Sequence, residues 1–254
     1  MTASLVFLAG AALLGGFLDA IVGGGGLIVV PALFSALPSI PPASVLGTSK
    51  GGSFFGLASS CTRYRHVVAL PWRSLLPLML TGFLAAAAGA WIIRVVPATF
   101  VRPIIPVVLA LVLISSLLHR YPGRPASIVL TPARRAVAVA LLAAASFYDG
   151  FLGPGAGTMM LVVFLRLYRF DFLRAAAHAK FLNLATNGGA LLVLALSDHV
   201  LWRFAVVLAA TSILGAQLGA RLAIARGSGF VRVCFIVASG SLIAKTAFDA
   251  WVRG

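Results

Sequence analysis

Residues 3–35 and 134–165 are apolar almost throughout, yet glycine interrupts each near its middle. The first break reads Asp19-Ala20-Ile21-Val22-Gly23-Gly24-Gly25-Gly26. The second reads Asp149-Gly150-Phe151-Leu152-Gly153-Pro154-Gly155-Ala156-Gly157. Glycine carries no Cβ and proline no N–H, so neither segment favours a continuous helix. Each stretch is therefore expected to form two helices meeting at a turn. Around them lie runs long enough to cross a bilayer, which takes about 20 apolar residues: 45–61, 74–93, 102–119, 175–195, 203–224 and 231–250.

Composition excludes most other classes. Of 254 residues, 61% are hydrophobic and 10% charged, with no glutamate, whereas soluble domains carry about 25% charged residues. The chain is too apolar for disorder. Its apolar runs are too long for the alternating strands of an outer-membrane barrel. No heptad or Gly-x-x period suggests a coiled coil or collagen. The expectation is an all-α polytopic membrane protein.

The formal charge of +15 would suggest nucleic-acid binding in a soluble protein. Here most arginines fall in short gaps between apolar runs, where they anchor helices and set orientation, so no nucleic acid is expected. Met1–Gly16 lacks a basic n-region and a clear cleavage context, and reads as the first helix. Cys61 and Cys234 have no CxxC spacing, so neither a metal site nor a disulfide framework is expected. No Walker sequence, metalloprotease motif or triad spacing is present. The expected protein is not an enzyme and has no cofactor.

The two breaks repeat each other at a fixed offset of 130 residues. Phe17 falls on Phe147, Asp19 on Asp149, Gly23 on Gly153, Gly25 on Gly155 and Lys50 on Lys180. Trp72-Arg73 falls on Trp202-Arg203, and Phe100-Val101-Arg102 on Phe230-Val231-Arg232. Apolar matches mean little in so apolar a chain, but Asp, Lys and Trp are rare here, and their coincidence indicates duplication. The expected division is a first repeat over 1–119, a basic linker and start of the second repeat over 120–135, and a second repeat over 136–254.

Charge bias changes sides between matched loops. Loop 36–44 has no charge, while 166–174 holds Arg166, Arg169 and Arg174. Loop 62–73 holds Arg63, Arg65 and Arg73, while 192–203 has only Arg203 with Asp198 beside it. By the positive-inside rule, the copies point in opposite directions. Two inverted homologous repeats are expected, each a Gly-broken helix pair plus three transmembrane helices. The basic loops and linker 120–135 then face the cytoplasm, with both termini outside. Inverted repeats are the common plan of secondary transporters.

Charged residues inside crossings are functional hypotheses by default. Asp19 and Asp149 read either as coupling sites for a proton or ion, or partners of a buried lysine, or as braces for the turns behind them. Gly24, Gly25, Gly26, Gly155, Gly157 and Thr158 stand where a turn opens a helix, which is a ready anion site. Close helix packing is the alternative. Lys50 and Lys180 share one register among Thr48, Ser49, His178, Asn183 and Asn187. Together they suggest a cation-lined polar path for an anionic substrate, although either lysine alone could snorkel to the interface. Lys245 has Ser115 as its counterpart and reads as interfacial or structural.

These residues resemble the sulfite exporter TauE/SafE family, and within it the YfcA-like branch of membrane transporters. The resemblance covers nearly the full chain. It is carried by Gly23-Gly24-Gly25-Gly26-Leu27-Ile28-Val29-Val30-Pro31-Ala32-Leu33 and by Gly47-Thr48-Ser49-Lys50, where relatives often read Thr-Asn-Lys. In the second half it is carried by Phe147 through Gly157 and by Ala177-His178-Ala179-Lys180-Phe181-Leu182-Asn183-Leu184-Ala185-Thr186-Asn187. It implies a multi-pass permease of the bacterial inner (cytoplasmic) membrane. The implied substrate is a small anion such as sulfite, sulfoacetate, thiosulfate or another organosulfur compound, and the implied direction in many members is export. The expected function is alternating-access transport of such an anion. An anion channel and a membrane scaffold or assembly factor are the alternatives, and homo-oligomerisation is left open.

Overall fold

The computed structural model describes residues 2–97, 99–101 and 131–253. The expected crossing 102–119 and linker residues 120–130 lie outside these. Among the described residues all regular structure is helical. In chain order the helices are α1 (Thr2–Val22), α2 (Gly26–Ala36), α3 (Pro42–Val67), α4 (Trp72–Ile93), α5 (Pro132–Phe151), α6 (Ala156–Arg166), α7 (Phe172–Leu196) and α8 (Trp202–Arg253). Helix α8 runs through a break at Gly227 (φ 68°, ψ −164°), where the sequence suggested a loop between two crossings.

Both glycine interruptions are turns between helices. Gly23 and Gly153, at the same place in each copy, have φ of 82° and 95°. That left-handed conformation costs glycine little and stops α1 and α5. One arm of each pair is long and the other short. At about 1.5 Å per residue, α1 is roughly 31 Å long, whereas the 11-residue α2 and α6 reach about half that. Among the described residues, four helical segments are long and apolar enough to cross a membrane: Ser4–Val22, Trp72–Ile93, Phe172–Leu196 and Trp202–Gly227. Exposed Leu80, Leu84, Trp91, Leu214 and Leu218 give their outer faces an apolar surface suited to lipid rather than water.

The helices sort into two parallel triplets. Helices α1, α3 and α8 run together: Ser212 donates to the Ala12 carbonyl at 3.2 Å, Gly219 lies against the Phe17 carbonyl, and Gly47, Gly52 and Gly56 meet His199, Leu208 and Ser212 in rising order. Helices α4, α5 and α7 form the other triplet. There Gly82 meets Ser146 and Thr186, Gly89 lies against the Phe147 carbonyl, and Gly189 against that of Phe83. At the centre α3 and α7 run antiparallel, with Gly47 on Leu194, Gly51 on Leu191 and Phe54 on Gly188. Small residues let these backbones approach closely, as membrane helices commonly require. Each triplet takes its third helix from the other half of the chain, so neither half is a separate domain.

Candidate functional site

The two glycine turns meet in the middle of the bundle. A Cβ on Gly23 would stand 2.6 Å from the Gly157 carbonyl carbon, and one on Gly157 would stand 2.6 Å from the Gly23 oxygen. Gly26 packs 3.2 Å from Pro154 by the same measure. Any side chain would push these tips apart. Glycine is thus required here for close approach as well as for the turn.

Beside the tips lies a cavity of about 380 Å³, counting its open mouth. Lys50, Ser49 and Ser53 reach it from α3, Asp19 from α1 and Asp149 from α5. Asn183 and Asn187 of α7 and Gly26, Gly155 and Gly157 of the turns complete its polar wall. Its free interior accommodates little more than a water molecule.

Lys50 donates to Asp149 Oδ1 at 2.6 Å in a buried ion pair. Asp149 Oδ2 accepts from Thr186 Oγ1 at 2.5 Å and Asn187 Nδ2 at 3.2 Å. Asn187 also donates to the Asn183 carbonyl and side-chain oxygens at 2.8 and 2.9 Å. An unpaired lysine or aspartate at mid-membrane costs about 2.5–3.5 kcal/mol. Pairing with full hydrogen bonding offsets that cost, so this network clamps α3 to α5 and α7.

The matching carboxylate is held differently. Asp19 Oδ1 accepts one backbone bond, from Gly25 N–H at 3.2 Å. Lys180, the counterpart of Lys50, is 1% exposed and has no ion pair within 4 Å among the described residues. The carboxylate whose charge acts on it is Asp19. The first-half residues matching Asn183, Thr186 and Asn187 are Ser53, Gly56 and Leu57. These bring less bulk and fewer donors, and a second cavity of about 230 Å³ opens against Asp19, Ser53, Gly56 and Ser212.

Other sequence candidates stand apart from the cavities. Thr48 Oγ1 donates to the Ser44 carbonyl at 2.7 Å and accepts Leu201 N–H at 3.0 Å, tying α3 to the turn before α8. His178 matches Thr48, but the position matching Leu201 is Pro71, which has no N–H to give. The His178 ring packs against Phe170 and Phe164 with centroids 4.7 and 5.5 Å away. Its Nδ1 donates to the Arg174 carbonyl at 2.8 Å, and its buried Nε2 has no partner among the described residues. Thr158 Oγ1 donates to the Val22 carbonyl at 3.4 Å, bridging the turns, and Gly24 lies beside that hydroxyl.

Thr186 and Ser53 were not singled out from the sequence. Thr186 could have been found from spacing, since Asn183, Thr186 and Asn187 follow the i, i+3, i+4 rule for one helix face. Ser53 could have been found as the match of Asn183.

Residues 8–246 match the family described as Sulfite exporter TauE/SafE. The probable membrane transporter protein ORF9 of a Sinorhizobium species is 34% identical over 96% of this chain and 93% of its own. The probable membrane transporter protein YfcA of Escherichia coli K12 is 34% identical over 94% of this chain and 88% of its own. A probable membrane transporter protein of Haemophilus influenzae is 32% identical over 92% and 90%. No solved structure matches the chain.

Proposed function

The chain belongs to the sulfite exporter TauE/SafE family of membrane transporters, and from that premise we propose that it carries a small sulfur-containing oxyanion by alternating access. Sulfite, thiosulfate and sulfoacetate are the substrates to consider first. The observation that carries the reading is the meeting of the two glycine turns beside one cavity, with Lys50 at its wall.

Antiparallel packing of α3 on α7, which are matched at the offset of 130 residues, supports an inverted repeat. Contacts between the halves also come in matched pairs. Gly89 lies on the Phe147 carbonyl and Gly219 on that of Phe17; Gly56 meets Ser212 and Gly82 meets Thr186. Such symmetry supplies two conformations that expose one central site to opposite sides. Arg63, Arg73, Arg134, Arg166 and Arg174 lie on helix ends or turns at one end of the bundle, where Arg134 Nη2 donates to the Arg166 carbonyl at 3.1 Å. The opposite end carries Arg94 and Arg203. The positive-inside rule puts the arginine-rich end in the cytoplasm of a bacterial inner membrane and the N-terminus outside.

In this reading the narrow cavity is an occluded state. Lys50 supplies the cation, and Ser49 and Asn183 supply donors that replace the anion's hydration shell. Helix α6 begins at the same place, and the first N–H groups of a helix have no partner one turn back. Moving the glycine tips apart widens the site without breaking a continuous helix.

Counterflow in proteoliposomes tests the proposal. Vesicles preloaded with unlabelled sulfite, thiosulfate or sulfoacetate should take up the labelled anion transiently and saturably, and K50A should abolish that uptake. Non-saturating flux without trans-stimulation would contradict a carrier and favour a channel. No flux of any of the three anions would remove the substrate assignment.

A further inference from the structure

We infer that Asp19, and not its counterpart Asp149, is a proton-binding site linked to anion binding. This inference rests on the carrier reading above. The two aspartates occupy matched positions behind matched turns, yet their surroundings have diverged. Asp149 is held as an anion by Lys50, Thr186 and Asn187. Protonating it would break an ion pair and discard two further donors. Asp19 has the Gly25 N–H alone, on one oxygen. Among the described residues its other oxygen has no donor, and the carboxylate borders both cavities, which give water a way to reach it. Protonation of Asp19 therefore breaks no side-chain contact.

The ionisable groups around it set the sign of the linkage. From α3 these are Lys50 across the first cavity, Cys61 and Tyr64. From α5 comes Asp149, and from α7 Lys180. Helix α8 brings the hydroxyl of Ser212, and α2 has no ionisable side chain. With Asp19 ionised, Lys50 and Lys180 are matched by two carboxylates, and an arriving oxyanion meets no net positive charge. When the Asp19 carboxylate takes a proton to become the neutral acid, one positive charge is left over to draw the anion in. Proton and anion thus favour each other's binding, one proton per anion. On release the proton returns to water from the same oxygen.

The test is the pH dependence of half-saturation in counterflow, using thiosulfate, which stays fully ionised across pH 5.5–8.5. In the wild type the half-saturating concentration should rise with pH, approaching tenfold per unit once Asp19 is ionised, the limit for one linked proton. D19N mimics the protonated acid and should hold the low-pH value at every pH. Proton uptake on thiosulfate binding, read from the buffer dependence of the binding heat in the wild type and D19E, covers the case in which D19N does not assemble. About one proton taken up, with the midpoint moved in D19E, supports the inference. No uptake, or a D19N protein with the wild-type slope, overturns it. Absence of thiosulfate counterflow in the wild type would instead count against the carrier reading on which it rests.

Discussion

Removing one partner of the Lys50–Asp149 pair leaves a charge in a nearly closed space. Breaking a buried pair in this way typically costs about 3–5 kcal/mol, whereas replacing both partners with apolar groups is often close to neutral. K50M and D149L should therefore each lower the thermal midpoint in detergent strongly, and the double variant should recover much of the loss. If the double variant is as unstable as the sum of the singles, the pair is not what holds α3 to α5. A milder effect is expected at Thr48, where T48V removes the acceptor for Leu201 N–H while keeping the side chain's shape. That bond is worth about 1 kcal/mol. The matched turn already lacks it, because Pro71 has no N–H to offer. Little of this residue-level asymmetry was legible in the sequence. The two aspartates and the two lysines look equivalent there, and their difference lies in Thr186 and Asn187 against Gly56 and Leu57, a contrast between ordinary helix residues.

The glycine turns were legible as elements, because an unbroken helix cannot be expected to hold four consecutive glycines or Gly-Pro-Gly. Their contact with each other was not, since nothing local in either turn says what it faces. That contact makes a prediction. An alanine at Gly23 or Gly157 puts a methyl group 2.6 Å from backbone of the opposing turn, closer than atoms tolerate. Overpacking of this kind costs about 1–3 kcal/mol, and both variants should lose counterflow. Gly10, in α1, has open space where a Cβ would go. G10A should keep transport and gain about 0.5–1 kcal/mol from the better helix propensity of alanine, measured by thermal unfolding. Normal counterflow in G157A would mean that the tips need not meet.

Across the whole molecule, the fixed offset of 130 residues was readable only because charged and tryptophan residues are so rare in this chain. What sequence could not convey is the interlocking of the copies, with α4 packed on α5 and α7 and α8 on α1 and α3. Those contacts are made by Gly89, Gly189, Gly215 and Gly219 against backbone carbonyls, and small residues carry no signature of the partner they approach. A carrier built this way depends on its halves lying in opposite senses across the bilayer. The most direct measurement is labelling of single cysteines in intact cells with a membrane-impermeant maleimide, in a background lacking Cys61 and Cys234. Ser39, in the turn after α2, and Arg166, the last residue of α6, are exposed at the matched ends of these two helices. Labelling of S39C from outside, with R166C reached only after the membrane is opened, is the predicted result. Labelling of both from the same side would contradict the inverted arrangement, and with it alternating access about a shared centre.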